Sequence, residues 1–154
     1  VGCIPCQAPD IDFQPAHLNS CVFAAATQLP PARFHGARMT QCNLRGCLLQ
    51  QSQFRLDHLV NSDLSEADCS QADMRQLQAN DCQFIRTRFQ QARLTDSNLT
   101  GAFMSKTQLQ GCDLSGCNLF RTDIAQAWVD GETRFDDAWT SGMKSIPSRD
   151  KARG

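Results

Sequence analysis

The chain has 154 residues with a formal net charge of −1 and 41% apolar residues, a single-domain length with enough apolar material for one core. That charge is neither the basic balance of a nucleic-acid binder nor an acidic tail, and no apolar run is long enough to span a membrane. Nine cysteines, an odd number, together with the lack of a charged-then-apolar leader, point to a reducing, cytoplasmic setting.

Residues 1–12 read as an irregular lead-in. Cys3-Ile4-Pro5-Cys6 supplies only half of a four-ligand zinc site, and no second pair stands at a suitable spacing, so no metal is expected. Phe13, Leu18 and Phe23 are five apart but one residue out of phase with the repeats beyond Ala32, and Leu29 joins the later phase. A first coil is therefore expected, then a loop or one-residue insertion near 24–31, where Pro30 and Pro31 cannot both donate to a ladder.

From Ala32 to Gly131 the chain is written in fives: a small residue, a polar one, a large apolar one, then two mostly polar ones. Twenty centres run from Phe34 and Met39 to Ile124 and Val129 without a break. A period of five is neither the 3.6 of a helix nor the alternation of a strand. Two inward residues in every five, at the first and third positions, keep one edge of the chain pointing inward. Such a chain must coil, and each coil must stack on the next, which is the mark of a solenoid. If a coil takes four repeats, residues twenty apart stack. One column of centres then reads Phe34, Phe54, Met74, Leu94, Leu114, and another Leu44, Leu64, Phe84, Met104, Ile124. A single column has a gap, at Ala79, which Leu77 is expected to fill by a swap of large and small with local distortion. Glutamines suit the outward corners, where they can hydrogen-bond rung above rung.

The versions Cys42-Asn43-Leu44-Arg45-Gly46, Ala72-Asp73-Met74-Arg75-Gln76, Cys112-Asp113-Leu114-Ser115-Gly116 and Cys117-Asn118-Leu119-Phe120-Arg121 resemble the pentapeptide-repeat family. The resemblance implies an all-β fold, a right-handed quadrilateral β-helix of about six coils stacked about 4.8 Å apart, here over 13–131. Residues 132–144 lose the phase by one and are expected to cap the last coil with Phe135 and Trp139, because a solenoid end exposes unpaired backbone and core. Residues 145–154 read as a mobile tail.

No catalytic, cofactor-binding or metal residues emerge. Cys42, Cys47, Cys82, Cys112 and Cys117 fall on the small inward position and Cys69 on a centre, so their spacing is the repeat period and they pack as small hydrophobes. His17, His35 and His58 are scattered, and no nucleophile elbow or glycine-rich phosphate loop is present. Asp57 alone places a carboxylate at an inward small position, either hydrogen-bonded at a distorted corner or turned to solvent.

Function should then lie on the outer faces. Ile85 and Phe103 are expected on one face in adjacent coils, flanked by Arg86 and Lys106, either as a contact patch or as single exposed apolar residues. Phe120 and Trp128, with Phe135 and Trp139, form a second group, read as an end cap or a dimer surface. The expectation is a rigid, non-enzymatic protein-interaction module with a protein partner, and no small-molecule substrate, cofactor, direct nucleic-acid binding or membrane. Homodimerisation through the C-terminal end is a further option. The stretch from Gly111 to Ile124 is similar to the ends of pentapeptide modules in bacterial type VI secretion accessory proteins, which implies a larger bacterial parent. The alternative implied by the family is a mimic of duplex DNA that binds DNA gyrase. It needs a negative surface, but residues 32–131 carry ten acids and ten bases, with Asp63, Asp68 and Asp73 read as one acidic strip.

Overall fold

The computed structural model describes residues 2–3 (backbone only), 12–14, 16–23, 29, 31–55 and 58–143. Asp57, Cys6 and the expected tail at 145–154 lie outside the described residues, as does most of the expected insertion at 24–31.

The twenty-residue register holds through the body. Parallel bridges join Arg33 to Gln53, Gln53 to Asp73, Asp73 to Arg93 and Arg93 to Asp113, and three parallel series run beside this one. With five residues to a side, the coil has four sides. Short strands β1 (Gly2–Cys3), β2 (His17–Asn19), β3 (Val22–Phe23) and β4 (Arg38–Thr40) belong to the same stack, β1 pairing with β3 and β2 with β4. Asp12, His17 and Val22 pair with partners twenty-one residues on, the signature of one extra residue between Phe23 and Leu29.

Each repeat builds one side and one corner. The first and third residues are buried and the second faces outward in a bridge. At the corner, the first-position N–H of the next repeat donates to the third-position carbonyl, as from Ala37 to Phe34 at 2.7 Å and from Cys47 to Leu44 at 3.1 Å. The fifth residue adopts a left-handed backbone, with φ of 55° at Asn61, 59° at Gln71 and 67° at Gly46, so the corner is a type II turn. The second-position Asp or Asn braces that corner by accepting the fourth-position N–H, from Arg45 at Asn43 (2.9 Å), Ser65 at Asp63 (2.8 Å) and Phe120 at Asn118 (3.0 Å).

First-position hydroxyls and thiols have a second use. Thr87 donates to the Leu64 carbonyl at 2.7 Å, Thr122 to Leu99 at 2.8 Å and Cys117 to Leu94 at 2.8 Å, each to the corner of the coil below. Each of these carbonyls also accepts its own corner N–H, so the side chain adds a second bond that ties one coil to the next. Leu77 and Ala79 are both fully buried. At the corner before Leu77 the Ser97 hydroxyl replaces the direct bond by accepting from Leu77 N–H (3.0 Å) and donating to the Met74 carbonyl (2.9 Å), and Ser62 bridges Cys42 and Met39 in the same way at a regular repeat. The expected glutamine ladder is present, Gln51 donating to Gln71 and Gln71 to Gln91, both at 3.1 Å.

Residues 132–143 do not form a separate cap. One extra residue is absorbed at 130–133, where Asp130 Oδ1 accepts the N–H groups of Gly111, Glu132 and Thr133. The chain then resumes the coil, Arg134 pairing with Asp113 and Trp139 with Asn118. Phe135, at a third position, packs against the core.

Seven described cysteines are free, and six of them are buried. Burial pushes the Cys47 thiol up to about 11 and those of Cys82 and Cys117 up to about 12, and raises Cys69 and Cys112 well above the ordinary range. A thiolate-selective reagent at neutral pH should therefore modify Cys21, which is partly exposed, and leave these five unmodified until the protein is unfolded. Thiol counting by mass before and after denaturation checks this; rapid native labelling of Cys69 would contradict it.

Four carboxylates tie stability to pH. Arg75 holds Asp73 below the usual range, and the Gly111 N–H does the same for Asp130. At Asp68 and Asp113 burial pushes upward, but hydrogen bonds from Ser70 and Ser115 and nearby arginines outweigh it. A depressed folded pKa contributes stability above the unfolded value, about 3.9. That contribution is lost as pH falls through the folded value. The urea midpoint should therefore be flat from about pH 7 to 5 and fall below about pH 4; a loss centred near pH 6 would assign it to other groups.

Candidate interaction surface

The outward columns fix what the protein displays. One face carries Asp12, Arg33, Gln53, Asp73, Arg93, Asp113 and Arg134, alternating in sign towards the C-terminal end. The next carries His17, Arg38, His58, Gln78, Asn98, Asn118 and Trp139. The third carries Val22, Asn43, Asp63, Gln83, Phe103 and Asp123, and the fourth Leu48, Asp68, Arg88, Gln108 and Trp128. All three histidines are exposed.

The expected acidic strip is not a strip. Asp63, Asp68 and Asp73 stand on three successive faces of one coil, below Gln83, Arg88 and Arg93 respectively. Asp68 lies 3.5 Å from Arg88 and Asp73 2.6 Å from Arg75. The Asp residues of this ring brace corners, so their spacing comes from the turn rather than from a phosphate backbone.

Phe103 stands on the third face, 43% exposed. Ile85 is not beside it on that face. It occupies the fourth repeat position, on the corner leading to the fourth face, and is only part-exposed between the coils of Ser65 and Ser105. Arg86 and Lys106 come next on the same corner, stacked in the column Glu66, Arg86, Lys106, Gln126, each with φ near 60°. Glu66 is held by Arg45 at 2.7 Å and lies 3.8 Å from Arg86. Lys106 makes no ion pair among the described residues.

The aromatic group expected at the C-terminal end divides. Phe120 and Trp139 pack with ring centres 5.8 Å apart, Arg121 lies 5.0 Å from the Phe120 ring centre, and Trp139 remains 58% exposed. Trp128 is elsewhere, 44% exposed on the fourth face above Gln108. There it closes a groove of about 330 Å³ lined by Arg86, Lys106, Gln108, Gln126 and Trp128. Sequence reading misses Gln108 and Gln126. The signal that finds them is the twenty-residue column, 86-106-126 beside 88-108-128, which governs the outward residues as it does the inward centres.

A larger groove, about 530 Å³, opens where the glutamine ladder stops at Gly111. Gly111 has φ +66°, and a Cβ there would lie 3.3 Å from Gln91 Cγ. The rim charges compensate one another, Arg134 lying 3.8 Å from Asp113 and 3.0 Å from Asp136. The buried Gln110 Oε1 has no hydrogen-bond partner among the described residues. Among those residues no cluster of His, Cys, Asp or Glu could hold a metal, and no helix is long and apolar enough to cross a membrane.

Fold and surface together define a four-sided parallel β-solenoid that displays its outward side chains in columns. The pentapeptide-repeat profile matches residues 32–55 and 80–116 with eight copies, in the frame that the bridges keep between them. The chain thus carries pentapeptide repeats, and proteins built of these repeats have the right-handed quadrilateral β-helix as their fold. It is similar to HetL, a pentapeptide repeat protein involved in heterocyst differentiation regulation from the cyanobacterium Nostoc sp. strain PCC 7120, at 22% identity and a TM-score of 0.51 over 80% of this chain. The match covers 62% of HetL, so this chain spans about three fifths of that length, and the likeness shows the fold alone. A pentapeptide repeat protein of the Arabidopsis thaliana thylakoid lumen matches at 25% identity and a TM-score of 0.49, over 63% of this chain and 72% of that one. QnrB1, a plasmid-mediated fluoroquinolone resistance protein, matches at 16% and 0.47, over 85% and 79%. No curated protein matches the sequence.

Proposed function

We propose that this protein is a rigid, non-enzymatic interaction module, a rod of about six coils that binds a protein partner through its outer columns. The observation that carries the reading is the grouping of two exposed aromatic residues with a lysine that makes no ion pair among the described residues, Phe103 on one side, Lys106 on the corner and Trp128 on the other side. Inside, the side chains are spent on packing and on satisfying the backbone, which leaves the surface to do the work. A reducing, cytoplasmic setting belongs to the same proposal, supported by the seven free described thiols. Membership of a larger, secretion-associated bacterial protein is proposed from the likeness of 111–124 alone.

The test uses the rod as bait in a cross-linked lysate, beside a Phe103→Arg variant shown by circular dichroism to be folded. A partner held by the parent and lost by the variant is the expected result. Equal capture by both would remove Phe103 from the surface, and no capture at all would leave a spacer.

The exposed Trp139 on Phe120 favours a second reading, self-association through the C-terminal end. Sedimentation should then show a dimer that Trp139→Ala dissociates, and a monomeric parent would end that reading. Gyrase binding by duplex mimicry has the rod shape in its favour and the ring-wise, arginine-paired acids against it. Unchanged gyrase supercoiling in the presence of excess protein would dispose of it.

A further inference from the structure

We propose that the corner groove closed by Trp128 binds an acidic, extended peptide segment laid along the rod axis, with its carboxylates on Arg86 and Lys106. The inference rests on the interaction-module reading and names the chemistry of the partner. Arg86 and Lys106 occupy the same corner position in successive coils, both with a left-handed backbone. One coil apart, they are rooted about 4.8 Å from each other. Same-side residues of an extended peptide recur at about 6.6–6.8 Å, a difference that two long flexible side chains absorb. Arg86 shares a carboxylate already held by Arg45, at 3.8 Å against 2.7 Å, and Lys106 has no ion-pair partner among the described residues. Both cations are thus available to an incoming anion at little cost in broken contacts.

The rest of the groove suits a peptide. Gln126 lines it with a carboxamide that can both donate to and accept from a peptide backbone, and Gln108, whose Oε1 accepts from Gln90, keeps its amide N–H groups to donate. Trp128, 44% exposed, offers a flat apolar surface for a side chain of the bound segment. The nearby acids are engaged or turned aside: Glu66 with Arg45, Asp68 with Arg88, and Asp123 on the third face, where its Oδ1 braces the corner at Ala125. A nucleic acid is the weaker fit. Affinity for a phosphate backbone comes from neutralising many charges, commonly about 6–10 phosphates. Here two cations line the groove, Arg88 stands beside it bound to Asp68, and the whole chain is at −1.

The test is a fluorescence-anisotropy titration of the folded chain with a short labelled peptide alternating glutamate and serine around one phenylalanine. Its lysine counterpart and a labelled oligothymidylate are run beside it. The glutamate peptide should bind at low salt, weaken as salt rises, and lose roughly ten-fold in affinity with Lys106→Glu. Glutamate is tolerated at this corner position, as Glu66 shows with φ 63°, so this variant should fold. Trp128→Ala should also weaken binding, whereas Arg38→Glu on a different face should leave it unchanged. Equal binding by Lys106→Glu or by the lysine peptide, tighter binding of oligothymidylate, or no binding at low salt would each overturn the proposal. If the peptide fails while the lysate partner still depends on Phe103, the partner's chemistry is wrong and the module stands. If both fail, the module reading falls with it.

Discussion

Phe54→Ala should lower stability by about 3–5 kcal/mol, among the largest losses available to a single substitution in this chain. Phe54 is fully buried at a third position and stacks on Phe34 with ring centres 4.4 Å apart and planes within 9°. Phe34 stacks in turn on Phe13 at 4.8 Å. Removing the end of this column leaves a ring-sized void that neighbouring coils cannot close, because their spacing is fixed by backbone bonds such as Phe54 N–H to the Asp73 carbonyl at 2.7 Å. Each coil of a solenoid touches only its neighbours, so the loss should be local. Urea unfolding of the variant should show the N-terminal coils melting first, and limited proteolysis should release them while 74–139 stays protected. A single, barely shifted transition would mean that the aromatic column contributes little.

Ser97→Ala should cost on the order of 1–3 kcal/mol although it removes only one oxygen. That oxygen accepts from the Leu77 N–H and donates to the Met74 carbonyl, so both buried groups lose their partner at once. Most other corners close directly; Ser62 makes the same bridge between the Cys42 N–H (3.1 Å) and the Met39 carbonyl (3.3 Å), so the hydroxyl is the sole link wherever the direct bond is missing. Ser97→Thr should restore most of the stability, since Thr87 and Thr122 already fill the same position in other repeats. Ser105→Ala, at a part-exposed corner, should cost under about 0.5 kcal/mol. Thermal unfolding of the three variants compares them. Equal losses for Ser97→Ala and Ser105→Ala would remove the bridging role.

The contact surface is only partly legible in the sequence. Phe103, Arg86 and Lys106 can be picked out because apolar or charged residues stand out against a repeating pattern. Ile85 falls on a different part of the square from the one expected, because its fourth-position corner backbone turns it away from the face. Trp128 groups with Trp139 through closeness in sequence, yet the coil carries the two residues to different faces. Asp63, Asp68 and Asp73 look like one strip for a related reason: a spacing of five is a step around the rod, and only a spacing of twenty is a step along it.

The sequence by itself determined the solenoid. An unbroken period of five with two inward residues per repeat admits no helix and no flat sheet, and the resemblance to pentapeptide repeats implied four sides, with which the apolar columns twenty apart agree. The two phase slips were also visible, one before Leu29 and one after Gly131. Tertiary structure decided what those features do. It showed that the second slip is absorbed by Asp130 in a turn, so that Phe135 and Trp139 continue the coil. It also showed that the inward hydroxyls and thiols donate to carbonyls in the coil below, and that Lys106 and Trp128 share one groove. The physical reason is the same throughout: the repeat fixes which way each residue points within its own coil, whereas neighbours across coils exist only once the backbone bonds have set the register.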